Sequence, residues 1–281
     1  MKTITKTFIG SRIDDFISDL ETLVNIDSSS DNTAGIADVA RFLSRRLEAI
    51  GFTTLLERLG DRGVPCLKAS NRSTGQPFDI MFLGHMDTVF PKGEAGKRPF
   101  ALNGDRAFGP GVCDMKGGLL VALHVIEALH HADVLDRLSI AVCFNGDEEV
   151  GSGSSRQWIE AHARNSRRVF VFEPCRPGHR FVLNRKGGGG YEITARGTAA
   201  HAGVEPEKGA NAAVEIAHQI LAVQRYNDEA PDGVSAHVTV LRGGEKSNII
   251  PDTARVKVDV RVARKDQSPQ VSLGRDRKSV V

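Results

Sequence analysis

No run in this 281-residue sequence approaches the roughly 18 consecutive apolar residues that a membrane-spanning helix needs, so no membrane association is expected. The N-terminus, MKTITKTFIGSRIDD, has a charged start but lacks the apolar run of a secretory signal. Cysteine is sparse. Cys66, Cys113, Cys143 and Cys175 are scattered without a CxxC pair, which reads as reduced thiols in a cytoplasmic compartment. Internal repeats and low-complexity tracts are absent. An excess of one charge is missing too: the net charge is +2, and the segment from Arg264 onward accounts for it with five basic and two acidic residues. A basic surface for nucleic acid is therefore not expected.

What remains is a chain that is 40% hydrophobic and 26% charged, enough apolar mass for one large domain or two medium ones. Residues 12–25 and about 35–50 carry apolar side chains at helical spacing, the second stretch ending at Gly51. Strand-like pieces follow at about 52–58 and 64–69. Phe78–Leu83, Leu138–Phe144 and Val169–Phe172 are short, nearly continuous apolar runs, as expected of interior parallel strands covered on both faces. Helical segments at Gly118–His131 and 153–164 alternate with them, which is the pattern of a doubly wound α/β domain. Near Arg185 the texture changes. A four-glycine break, Gly187 to Gly190, leads into an alternating strand. A helix over 207–224 and two alternating strands, Ser235–Leu241 and Ala254–Val262, predict a separate α+β layer.

Each of the three apolar strands ends in residues that bind metals or move protons: Gly84-His85-Met86-Asp87, then Asn145-Gly146-Asp147-Glu148-Glu149, then Glu173-Pro174. Ligands of open α/β sheets bind beyond the carboxyl ends of the strands, so these groups are expected to converge on one crevice. Asp114, in the glycine-rich GPGVCDMKGG, is a fourth candidate. Carboxylates gathered without counter-charge would repel and protonate, which points to divalent cations as their partners. His85 with carboxylates is a mixed N/O set suited to Zn²⁺, with Mn²⁺ or Co²⁺ as alternatives. Asp87, two residues on, can accept the second ring N–H of His85. Of the adjacent Glu148 and Glu149, one can ligate while the other handles protons. Taken singly, a His-x-Asp after a strand is more often a local hydrogen bond, and paired glutamates are more often solvated. Three successive strands with the same kind of ending outweigh that. Of the other histidines, His124 reads as a core histidine with its hydrogen bonds satisfied and His201, in GTAAHAG, as a polar group on a connection in the second unit.

The words GHMDTVFP, GPGVCDMKGG, GDEEVGS, FEP, GTAAHAG and SNIIPDTARVKVDVR, in this order over residues 84–261, resemble the dinuclear zinc exopeptidases. That family includes glutamate carboxypeptidase, acetylornithine deacetylase and succinyl-diaminopimelate desuccinylase, and the glutamate carboxypeptidase branch is the most similar. The resemblance implies a mostly parallel, helix-covered α/β sheet with an inserted, ferredoxin-like α+β dimerisation domain. It implies two zinc ions per complete subunit, with Asp114 bridging, His85 and Glu173 on one metal and Glu149 on the other. Glu148 would be the general base, Asp87 would orient His85, and the peptide after Asp114 would be cis. His201, Asn248 and Arg261 would contact substrate. The substrate would be a short peptide or N-acyl amino acid cleaved beside a C-terminal amino acid, with an N-acyl-amino-acid deacylase as the second reading. Full-length relatives would be homodimers through the second domain.

The expected organisation is a metal-binding domain over 1–184, a βαββ dimerisation domain over 185–264 and a disordered tail over 265–281 unlike the family. The family's second domain is βαββαβ and is followed by a further histidine ligand, while the last histidine here is His237. The sequence is therefore expected to be a truncated form that binds one zinc better than two and turns over poorly, or that acts only in metal binding and dimerisation.

Overall fold

The computed structural model describes residues 2–73, 75–178 and 180–270. They separate into two compact units that divide at Pro177 and Gly178.

In the first unit the helices α1 (Lys2–Ser11), α2 (Ile13–Val24) and α3 (Thr33–Glu48) precede the strands β1 (Thr53–Leu59), β2 (Val64–Ser70) and β3 (Ile80–His85). A short helix α4 (Glu94–Lys97) and a small hairpin, β4 (Ala101–Asn103) with β5 (Arg106–Phe108), lead to α5 (Gly117–His131). Then come β6 (Ile140–Asn145), α6 (Arg156–Arg164) and β7 (Val169–Val171). The sheet order is β1-β2-β6-β3-β7. β3 is parallel to both β6 and β7, whereas β2 is antiparallel to both its neighbours, so four strands point one way and β2 opposes them.

Strand alternation explains why two layers cover this sheet. Phe82, Val142 and Phe144 face the large core with Leu119, Leu120, Leu123 and Ile126 of α5 and the apolar stripes of α2 and α3. Met81, Ala141 and Cys143 point the other way, against Trp158 and Ala163 of α6. Because α5 is enclosed by α1, α2, α3 and the sheet, it is apolar on most sides, and each leucine it buries contributes roughly 1.5–3 kcal/mol.

Two expectations need correction. Val169–Phe172 was expected as an interior strand, but β7 is an edge strand, pairing only with β3 among the described residues. Its residues are exposed, Phe170 by 49%, although Phe170 and Phe172 both meet the ring of Phe82 edge-on. An apolar run specifies a strand but not which flanks the rest of the fold covers. His124 is buried in α5 as expected, yet its hydrogen bonding is not fully satisfied. Its ring lies 3.6 Å from both Asp19 and Glu127, and its Nε2 has no hydrogen-bond partner.

In the second unit β8 (Gly187–Arg196), β9 (Ala200–His201), α7 (Ala212–Glu229), β10 (Val234–Gly243), β11 (Ile249–Ile250) and β12 (Thr253–Val262) follow in order. The main sheet is antiparallel in the order β10-β12-β8, and β9 pairs with β11. Val256, Val258 and Val260 alternate toward Ile216 and Val223 of α7, leaving the opposite face polar. The four glycines expected as a break are the first residues of β8, paired with Asp259 through Val262. Residues 265–270 were expected to be disordered, but a turn of 3-10 helix spans Lys265–Gln270. There Gln267 is buried, accepts from the Arg264 N–H and donates to the Asp232 carbonyl. Residues 271–281 lie outside the described residues.

Candidate metal centre

The chain leaves β3, β6 and β7 at the same edge of the sheet, because these three strands are mutually parallel. His85 ends β3, Glu148 and Glu149 follow β6, and Glu173 follows β7. Asp114 arrives from the tight turn Val112–Lys116 ahead of α5, and the Asp114–Met115 peptide is cis. This turn seats closely because Gly118 is the second residue of α5: a Cβ there would lie 2.1 Å from the carbonyl oxygen of Phe172, just after the strand that leads to Glu173.

Around the buried His85 ring the groups converge. Nε2 lies 3.0 Å from Asp114, 3.5 Å from Glu173 and 3.9 Å from Glu148. Ligand-type atoms of His85, Asp114 and Glu149 all lie within 4.8 Å of one another, and so do those of His85, Glu148 and Glu173. The structure thus brings together every first-unit residue expected from the sequence. It groups Glu149 with Asp114, and Glu148 with Glu173, the two trios sharing His85.

Asp87 is the hub beneath them and is 0% exposed. One carboxylate oxygen stands 3.3 Å from His85 Nδ1 and accepts the N–H of Glu148 at 3.1 Å. The other accepts the N–H of Glu149 at 3.1 Å and the Ser30 hydroxyl at 2.7 Å. Sequence reasoning found the role of Asp87 toward His85 but missed Ser30 and the grip on the Glu148–Glu149 turn, because both are contacts across more than fifty residues. Asp147, read with the chemistry-bearing residues, is instead a turn residue. It is buried and accepts from the N–H groups of Ser154 and Ser155 and from the Ser155 hydroxyl.

The electrostatics are those of an anionic site. Burial pulls His85 down, but hydrogen bonding and attraction to Asp87, aided by Glu173 and Glu148, raise it to about 9. Burial raises Asp87, yet His85, Ser30 and the Glu149 N–H outweigh it and hold the carboxyl below its usual range. Burial pushes Glu149 up to about 7, with repulsion from Asp114, Asp87 and Glu148 adding to it. One imidazole among four mutually repelling carboxylates is a donor set that fits a divalent cation, which would replace protons on His85 and Glu149.

In the second unit, His201 on β9 stands opposite Ile249 of β11, and its Nε2 lies 3.4 Å from the Asn248 amide. The Gly203 N–H donates to His201 Nδ1 at 3.2 Å. Arg261 is not beside them. It sits near the far end of β12, where Asp259 holds its guanidinium through two hydrogen bonds of 2.7 and 2.8 Å.

Fold and site together define the class: an α/β domain that gathers an imidazole and carboxylates able to hold a metal ion, followed by an α+β unit. Residues 81–263 match the family described as peptidase family M20/M25/M40, and the chain belongs to that family. It is 37% identical over 256 residues to carboxypeptidase G2 of Pseudomonas sp. (strain RS-16), covering 89% of this chain and 60% of that protein. It is 29% identical over 239 residues to acetylornithine deacetylase of Myxococcus xanthus, covering 78% of this chain and 60% of that protein. The chain thus spans about 60% of the length of these curated relatives. Among solved structures, the di-peptidase Dug1p of Saccharomyces cerevisiae shares the fold at a TM-score of 0.71 and 16% identity, covering 96% of this chain and 74% of that one. The metallo-carboxypeptidase Sso-CP2 of Sulfolobus solfataricus does so at 0.68 and 19%, covering 89% and 71%.

Proposed function

We propose that this chain carries the zinc site of an amidohydrolase that releases a C-terminal amino acid from a short peptide or N-acyl amino acid. The carrying observation is the convergence of His85, Asp114, Glu149, Glu148 and Glu173 around one imidazole, over a buried Asp87. His85, Asp114, Glu149 and Glu173 would hold the metal, with cobalt or manganese as substitutes. Zinc, when bound, supplies Lewis acidity and acidifies water toward a pKa of ~7.

The chain's own residues do the rest. Asp87 fixes the ring of His85 so that Nε2 faces the carboxylates. It also fixes the backbone of Glu148, whose carboxylate would take a proton at Oε from the water that adds to the amide carbon and return it to the nitrogen of the amine that departs. In the second unit, Asn248 and His201 offer polar groups to an amide, and Arg261, whose guanidinium now holds Asp259, offers a permanent positive charge to a carboxylate. The relatives named as carboxypeptidase and as deacetylase support both a carboxypeptidase and an N-acyl-amino-acid deacylase reading, the first through the higher identity. The resemblance noted from the sequence supports dimerisation of the whole protein through the second unit. Four unpaired cysteines suit a cytoplasmic setting.

The test is zinc titration followed by hydrolysis of N-acyl glutamates and their α-methyl esters, for the natural chain and Glu148→Ala. Zinc binding in both proteins, hydrolysis only with Glu148 and preference for the free acid are expected. Equal hydrolysis by the variant, or absence of zinc binding, would overturn the reading.

A further inference from the structure

The polar face of the second unit's sheet is not evenly charged. At one end Arg261 is mated to Asp259 by two hydrogen bonds. At the other, β10 places Arg242 directly opposite Arg255 of β12, and Thr194 of β8 stands on the other side of Arg255. Like charges directly opposite on neighbouring strands repel. Arg196 lies one step along β8, opposite Thr253. Among the described residues, the side chains of Arg196, Arg242, Arg255 and Lys246 form no hydrogen bond or ion pair. All four line one groove of about 750 Å³, whose wall at Gly243 and Gly244 carries no side chain.

We propose that this groove binds a small multivalent oxyanion, a polyphosphate or polycarboxylate, seated on Arg242 and Arg255 with Arg196 and Lys246 beside them. The guanidinium fork matches both oxyanion types in bidentate fashion, and an anion between Arg242 and Arg255 turns their repulsion into a bridge. The groove also bounds the ligand's size. Glu192, Glu245 and Asp252 border it, none within ion-pair distance of the basic row, so a long polyanion such as nucleic acid would meet them and a compact ligand would not. Nothing in this inference draws on the metal centre.

The experiment titrates the full chain with inorganic pyrophosphate and, separately, with citrate, by calorimetry at low salt. Saturable one-to-one binding of at least one probe is expected. Arg242→Gln should weaken it several-fold, and Arg242→Gln with Arg255→Gln at least tenfold. Lys208→Gln, an exposed residue paired with Glu205 in the same unit, should bind as the natural chain does. Both arginines are exposed and the double variant keeps every residue of the metal cluster, so its loss of binding reports the groove. Stronger pyrophosphate binding assigns a phosphate ligand, and stronger citrate binding a carboxylate. Failure of both probes to saturate in the millimolar range, or undiminished binding by the double variant, overturns the proposal.

Discussion

The two units hold their candidate functional residues in opposite ways. In the first, an imidazole and its carboxylates stand on a buried support: His85 is 2% exposed, Asp87 is 0% exposed, and peptide N–H groups from a distant loop close on the Asp87 carboxylate. In the second, His201, Asn248 and Arg261 are exposed and are held by one or two surface hydrogen bonds each. Charges that must repel one another need a rigid frame, because each would otherwise turn toward water. Polar groups and a paired guanidinium that meet a ligand from one side do not.

Substitutions can break that contrast. The largest effect falls on Asp87→Ala, which strands the N–H groups of Glu148 and Glu149 and leaves His85 Nδ1 only the backbone carbonyl of residue 87, 3.0 Å away. A loss of roughly 3–5 kcal/mol of stability is expected in urea denaturation, together with loss of zinc binding in calorimetry. Ser30→Ala removes one hydrogen bond to the same carboxylate. It should cost about 1.5–3 kcal/mol and weaken zinc roughly 10-fold, measured by the same two experiments. Asn248→Ala should change stability by no more than about 0.5 kcal/mol, because its amide is exposed, while raising KM for N-acyl amino acids. A large loss of stability in that variant would erase the distinction between the units.

The smallest effect is on pH dependence. Burial, with help from Lys68, holds His162 of α6 below its ordinary value, against the edge of Trp158. The folded state therefore disfavours the charged ring. Stability should fall as pH drops through 6.5 toward the folded-state value, and rise again across the same window as pH increases. Denaturation of His162→Gln should show a flatter profile there.

The convergence of His85, Glu148, Glu149 and Glu173 was legible from sequence because they sit at the ends of three apolar runs, and a parallel sheet collects strand ends at one edge. The βαββ order of the second unit was legible for a similar reason, since alternation and helical spacing are local. What escaped is non-local. The sequence VFVF does not reveal that β7 has a neighbour on only one side. The strands β1 and β2 gave no sign that they extend the same sheet, with β2 running against the rest. Asp147 looked like its acidic neighbours, and only the serines folded back onto it show that it shapes the loop.

Asp87 takes hold of residues 148 and 149 by their main-chain amides and makes no hydrogen bond to either side chain. The architecture of this loop is consequently indifferent to what those two positions carry. A designer can exchange either glutamate for aspartate, glutamine or histidine and expect the same backbone trace, so metal preference and proton handling are adjustable separately from the scaffold that presents them.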